Sequence, residues 1–205
     1  MTKEIKFFID GKPITGHAGQ TILEAAEAAN VYIPRLCHSP GLEPYGSCRV
    51  CTVLVNGRPQ AACTLPVAEK MVIESESERV RDHRKSIIEM LFVEGNHFCM
   101  FCEKSGNCEL QALAYRFGIT APRYPYQSPQ RHVDASHSDV LIDHNRCVLC
   151  ARCIRASRDR DGKNVFQFVG RGAQKRVGVN GDADLASTDF EATDAAADVC
   201  PVGAI

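Results

Sequence analysis

The sequence contains no tryptophan, and aromatic residues make up only 7% of its 205 positions. One large aromatic core is therefore not expected, although 44% hydrophobic and 24% charged residues are ordinary for a globular protein. No apolar run approaches the ~20 residues that carry a helix across a bilayer, so no membrane partner is expected. The opening MTKEIKFFIDGK lacks the basic start and apolar stretch of a signal peptide, which predicts a cytoplasmic location. A net charge of −1 offers no basic excess for nucleic acid. A glycine-rich phosphate loop with its lysine and a dinucleotide fingerprint are both missing, and GRGA (170–173) is too short to count. Neither flavin nor NAD is expected on this chain. No pairing of nucleophile and base stands out either.

Cysteine, by contrast, is abundant. The eleven cysteines fall into three groups with none left over: Cys37, Cys48, Cys51 and Cys63; Cys99, Cys102 and Cys108; and Cys147, Cys150, Cys153 and Cys200. An odd total leaves a pure disulfide scheme with an orphan thiol, and a reducing cytoplasm favours metal binding over disulfides. Each group has the size and spacing of an iron–sulfur ligand set.

The first group offers four thiolates, which is what a [2Fe–2S] rhomb needs, two for each iron. Ten residues separate Cys37 from Cys48, unlike the plant-type spacing. Gly41, Gly46 and Gly57 flank the set, where small residues let backbone N–H groups approach sulfur. A structural zinc site accepts the same four thiolates, though zinc ribbons usually carry two C-x2-C knuckles and here there is one. The third group is the strongest signal. Three thiolates at two-residue intervals wrap three corners of a cubane, and Cys200-Pro201 supplies a remote fourth, giving one [4Fe–4S] site. Without a second triplet, Cys200 should close that same site.

The middle group has three cysteines for a four-iron cluster. His97, two residues before Cys99, can fill the open corner as imidazole does in Rieske centres. A lone histidine is more commonly a surface residue; beside an incomplete ligand set, ligation becomes the better reading. Neutral imidazole in place of thiolate removes one negative charge and should raise the potential. His17, His38, His83, His132, His137 and His144 show no ligand spacing and are read as structural or solvated.

Turn and periodicity signals locate the elements. IKFFID and KPIT form a hairpin around Asp10-Gly11, and CTVLVNGRPQAAC a second around Asn56-Gly57. TILEAAEAAN is helical, starts at Thr21, and puts Ile22, Leu23, Ala26 and Ala29 near one face. Residues 79–94 are predicted helical with Ile87, Ile88, Leu91 and Phe92 as the apolar stripe, and Gly95 as the stop. A short helix follows in CELQALAYRFG. Pro122, Pro125 and Pro129 mark a stiff linker, and GVNGDADLASTDF (178–190) reads as loop. The basic runs 79–85 and 152–160 read as solvated helix faces, docking surfaces, or cations near anionic clusters.

LCHSPGLEPYGSCRVCTVLVNG, FCMFCEKSGNCELQ, RCVLCARCIRAS and CPVGAI occur in that order. This order resembles the iron–sulfur front end of the 75-kDa-type subunit of respiratory complex I and of iron-only hydrogenases. With LFVEGNHFC before the second group, nearly the whole chain is similar to the small diaphorase (gamma) subunits of NAD-reducing [NiFe]-hydrogenases. Complex I-type chains usually place the ligating histidine four residues before the first cysteine of the second group; Gly95 stands there in this sequence. The resemblance implies an α+β fold in several parts. A β-grasp [2Fe–2S] domain over 1–77 precedes a small helical [4Fe–4S] module over 78–120 with one histidine and three cysteine ligands. A linker over 121–138 then leads to a ferredoxin-like [4Fe–4S] segment over 139–205.

It also implies the function: a relay subunit of an oxidoreductase complex, catalytic only through its partners. Electrons would pass between the small and large [NiFe] hydrogenase subunits and a flavin- and NAD-binding diaphorase subunit. A relay in an NAD-dependent formate dehydrogenase or a complex I-like assembly is the alternative. A cluster-based redox sensor would need an output module, and no helix-turn-helix or basic arm is evident. A zinc-stabilised interaction protein would hold metal without sulfide.

Overall fold

Two turns organise the N-terminal sheet in the computed structural model, which describes residues 3–181 and 184–205. Strands β1 (Glu4–Ile9) and β2 (Lys12–His17) pair antiparallel across Asp10 and Gly11, both at positive φ as a two-residue hairpin turn demands. Burial alternates along β1, with Ile5, Phe7 and Ile9 inward. Helix α1 (Ile22–Ala28) starts at Thr21 with a reciprocal capping box: the Thr21 hydroxyl accepts the Glu24 N–H, and the Glu24 carboxylate accepts the Thr21 N–H. Strands β3 (Thr52–Val55) and β4 (Arg58–Ala61) flank Asn56-Gly57, again at positive φ. Strand β5 (Val72–Glu74) runs parallel to β1 and antiparallel to β3, so the sheet order is β2-β1-β5-β3-β4. Asp10 anchors this closure by accepting the Ser75 N–H at 2.7 Å and its hydroxyl at 2.6 Å. The expected β-grasp arrangement of a sheet with one packed helix is present. Its core holds Phe7, Ile9, Ile22, Leu23, Ile33, Val53 and Ile73.

Contacts divide the chain into two compact units, residues 1–38 with 44–88, and residues 39–43 with 89–205. Helix α2 (Glu78–Glu94) stops before Gly95 as expected, but its buried face differs from the apolar stripe read in the sequence. Ile87, Leu91 and Phe92 are half-buried, whereas Val80, Arg84, Ile88, Glu89 and Val93 are buried. Arg84 corrects the reading of run 79–85 as a solvated face. Its Nε and Nη2 donate to the Thr52 carbonyl at 3.1 and 2.9 Å, and Nη1 donates to the Ser75 carbonyl at 2.7 Å. A buried guanidinium is tolerable because its N–H groups meet carbonyls.

In the second unit, α3 (Glu109–Arg116) follows the middle cysteines. Residues 121–132 carry no helix or strand, in keeping with the three prolines. Strand β6 (Val133–Asp134), inside the stretch expected to be linker, pairs with β7 (Ile142–Asp143). Helix α4 (Arg152–Asp159), the hairpin β8 (Phe166–Val169) and β9 (Arg176–Val179), and α5 (Ala195–Asp198) surround a core of Leu42, Cys153, Ala156, Phe166, Val177, Leu185 and Phe190. The expected loop over 178–190 holds the end of β9 and a single helical turn at Leu185–Ser187; Asp182 and Ala183 lie outside the described residues. Run 152–160 is also only partly solvated, since Arg152 and Arg155 are buried.

Arg84→Ala would leave the Thr52 and Ser75 carbonyls without their donor and open a cavity. The expected cost is about 3–5 kcal/mol, read as a lower urea midpoint with unchanged slope. A midpoint within error of the parent would contradict the clamp.

Candidate metal centres

The first group lies on loops around the β3–β4 hairpin. Cys37, Cys51 and Cys63 are buried and Cys48 half-buried. The Cys37 N–H donates to Cys48 Sγ at 3.3 Å. Sulfur-to-sulfur hydrogen bonds link Cys37 to Cys48 and Cys63, and Cys51 to Cys63. Sharing protons this way holds Cys37 below the ordinary thiol range and Cys51 at about 7, while Cys48 and Cys63 are pushed up. Two of the four thiols thus hold their protons firmly, and a cation placed among the sulfurs would favour their release. Of the flanking glycines, Gly46 packs on Thr64, next to Cys63, with room for a Cβ only 3.0 Å from that side chain. Gly57 serves the hairpin turn, and Gly41 lies against Arg160 in the second unit.

The middle group surrounds one cavity in the second unit, lined by His97, Cys99, Cys102 and Cys108 with Phe92, Gln111 and Gly203. The Gln111 side chain shapes the cysteine loop, accepting from the Gly106 N–H at 2.8 Å and donating to Ser105 Oγ at 3.1 Å. His97 Nε2 is buried without a hydrogen-bond partner in the structure. Burial first, then the guanidiniums of Arg146 and Arg131, pushes the His97 imidazole down to about 4. The ring is therefore neutral at pH 7, with a lone pair free for a metal. Gly95 makes space for it, since a Cβ there would fall 2.3 Å from Nε2.

The third group surrounds a second cavity, walled by Cys147, Cys150, Cys153 and Cys200 with Val148, Val177, Val202 and Ile205. Burial pushes Cys147 up to about 11, Cys150 up to about 12, and Cys153 higher still. Apolar walls disfavour bare thiolates, so these sulfurs ionise only with a cation to compensate. Leu149 and Ala151 take left-handed φ of 52° and 59°, and Arg49 in the first group takes 59°. Each lies beside a cysteine, and left-handed non-glycine backbone gathers at functional sites. The turns aim N–H groups at sulfur: Leu149 bonds to Cys147 and Arg152 to Cys150.

Several contributors escaped sequence reasoning. Gly203 sits where a Cβ would come within 2.9 Å of Cys102 Sγ, so the tail after Cys200 forms part of the middle cavity. The Glu109 N–H donates to the Pro201 carbonyl at 2.9 Å, joining the residue after Cys108 to the residue after Cys200. Arg152 grips the Glu109 carboxylate with both Nη atoms at 2.5 and 2.7 Å. His144, read as structural or solvated, is buried and lines the cavity of the third group. Among the described residues no three histidine, cysteine or acidic side chains gather as a site for a single metal ion. In the second and third groups the donors stand around a space, the layout that suits a cluster bringing its own sulfides.

Comparison with known proteins matches each segment to an iron–sulfur family. Residues 2–78 match a 2Fe-2S iron-sulfur cluster binding domain. Residues 84–123 match the NADH-ubiquinone oxidoreductase-G iron-sulfur binding region, and residues 138–205 the ferredoxin-like domain of NADH-quinone oxidoreductase subunit 3. The chain is 40% identical to the NAD-reducing hydrogenase HoxS subunit gamma of Cupriavidus necator, over 98% of this chain and 86% of that protein. It belongs to the NAD-reducing hydrogenase gamma-subunit family. A crystal structure of an NAD+-reducing [NiFe]-hydrogenase in the H2-reduced state contains a chain that superposes with a TM-score of 0.94 at 48% identity. That match covers 98% of this chain and 86% of the other. The 78 kDa subunit of mitochondrial NADH-ubiquinone oxidoreductase from Candida albicans is 34% identical over 98% of this chain, which spans only 28% of that longer protein. The gamma-subunit family thus shares its iron–sulfur region with complex I. Among the described residues, no helix is long and apolar enough to cross a membrane.

Gly95→Ala should drive the His97 ring from its place. If the cavity holds a four-iron cluster on His97, iron and acid-labile sulfide should each fall by about four per chain. Unchanged content and spectra would show that the ring does not need this space.

Proposed function

We propose that this chain carries electrons through three centres: a [2Fe–2S] cluster on Cys37, Cys48, Cys51 and Cys63, and two [4Fe–4S] clusters. The middle one uses His97, Cys99, Cys102 and Cys108, and the last Cys147, Cys150, Cys153 and Cys200. The observation that carries this reading is the gathering of twelve donors into three quartets, two of them around cavities. When bound, such clusters supply one-electron transfer with little rearrangement. The protein's own residues supply ligands, dry walls, and N–H groups directed at sulfur. Domain limits near 77, 120 and 138 are part of this proposal.

The partners we infer are a flavin- and NAD-binding diaphorase subunit and the small and large subunits of a [NiFe] hydrogenase, assembled in the cytoplasm. Neither flavin nor NAD is assigned to this chain, nor is catalysis. An apolar surface near the middle group suits assembly. Phe98, Met100, Phe101 and Tyr115 are 60–88% exposed around one recess beside His97 and Cys99. A relay in a complex I-like assembly is the second reading, favoured by the match over 98% of the chain to the 78 kDa subunit.

Two experiments test these readings. Anaerobic purification of the tagged chain from its source should bring down flavin- and nickel-bearing chains. Recovery of quinone-reductase or formate-oxidising chains instead would overturn the hydrogenase assignment. His97→Ala should disturb the middle centre alone; an unchanged spectrum and iron content would reject His97 as its ligand.

A further inference from the structure

Arg146 ends a single helical turn, His144–Arg146, and immediately precedes Cys147. Its side chain reaches away from that cysteine toward the middle group. Nη1 lies 3.8 Å from Cys102 Sγ, 2.6 Å from the Glu103 carboxylate and 3.4 Å from the Gly203 carbonyl. Nε lies 3.0 Å from Asp143 Oδ2. Four partners hold the guanidinium, Cys102 and Glu103 on one stretch of chain, Gly203 on another and Asp143 on its own turn, and the side chain is only 20% exposed. We propose that Arg146 is a positioning residue that sets the reduction potential of the middle centre by directing its charge at Cys102. The proposal rests on reading the middle quartet as a cluster site.

Reduction adds one electron to a centre already surrounded by thiolates. A fixed cation at a ligand sulfur stabilises the reduced state more than the oxidised one, and an N–H directed at sulfur acts in the same sense. The Arg146 Nη1 contact to Cys102 Sγ at 3.8 Å puts this charge directly at a proposed ligand. Arg152 offers a contrast: it sits among the third group's cysteines, but both its Nη atoms are engaged by Glu109. Arg131, another nearby cation, donates to the His144 carbonyl. Arg146 is opposed by two carboxylates of different standing. Asp143 is buried and also caps the turn through the Asn145 N–H at 2.9 Å. The Glu103 side chain is 81% exposed. Removing Arg146 therefore subtracts a cation and leaves two anions uncompensated, whereas removing Glu103 frees the cation.

The test is a redox titration followed by EPR on the anaerobically isolated complex, comparing the parent with Arg146→Gln, Arg146→Lys and Glu103→Gln. In Arg146→Gln the middle centre should become harder to reduce, by about tenfold in its reduction equilibrium, or about 59 mV for a one-electron couple. Arg146→Lys should recover part of that shift, because it restores charge without the planar fork. Glu103→Gln should shift the midpoint the opposite way, and the third centre should move less in every variant. A middle midpoint unchanged in Arg146→Gln would overturn the proposal. Should Arg146→Gln fail to assemble, Glu103→Gln decides: a positive shift supports the proposal, while no shift or a negative one overturns it. Absence of a middle-centre signal in the parent would instead refute the cluster reading on which the proposal rests.

Discussion

Sulfur donors withdrawn from water are the constraint around which the chain is organised. A buried thiol resists ionisation, and Cys147, Cys150 and Cys153 are all pushed above the ordinary range by burial. A bound cluster supplies the opposing positive charge, so its binding free energy is also folding free energy for the segments that hold it. This explains how a unit with short helices and two-stranded sheets can do without a large aromatic core. Cys153 belongs to the apolar core of its unit, and Cys51 and Cys63 belong to the core of theirs. Under the proposed relay the same cysteines would serve as both ligands and core.

Within the second unit, the middle and third groups share their supports. The Glu109–Pro201 hydrogen bond, the Arg152–Glu109 ion pair and the approach of Gly203 to Cys102 each tie a residue beside one group to a residue beside the other. An electron relay benefits from such ties, because fixed ligand positions keep the reorganisation that accompanies each transfer small. The same packing puts charged residues of one segment within reach of another segment's sulfur, as Arg146 is of Cys102.

Legibility in the sequence followed the range of the interactions. Asp10-Gly11, Asn56-Gly57 and the Thr21 cap act over two to four residues, and each sits where the pattern places it. The cysteine groupings rest on spacing that is local within the C-x2-C runs, while Cys37, Cys63 and Cys200 are reached over longer separations. The burial of Arg84 and Glu89 was not legible, because helical periodicity reports apolarity and says nothing about a distant carbonyl or cation. Glu89 is met by Arg123, 34 residues away, and Arg84 by Thr52 and Ser75. Left-handed backbone at Leu149, Ala151 and Arg49 carries no residue signature, since glycine, its usual marker, is absent there. Gly203 acquires its role only once the tail after Cys200 is folded against Cys102.

The most direct test of the relay account is the metal and sulfide content of anaerobically purified chain. The account predicts about ten irons and ten acid-labile sulfides per chain with little zinc, the content of one [2Fe–2S] and two [4Fe–4S] clusters. Roughly three zincs and no sulfide would contradict it and leave a structural metal protein.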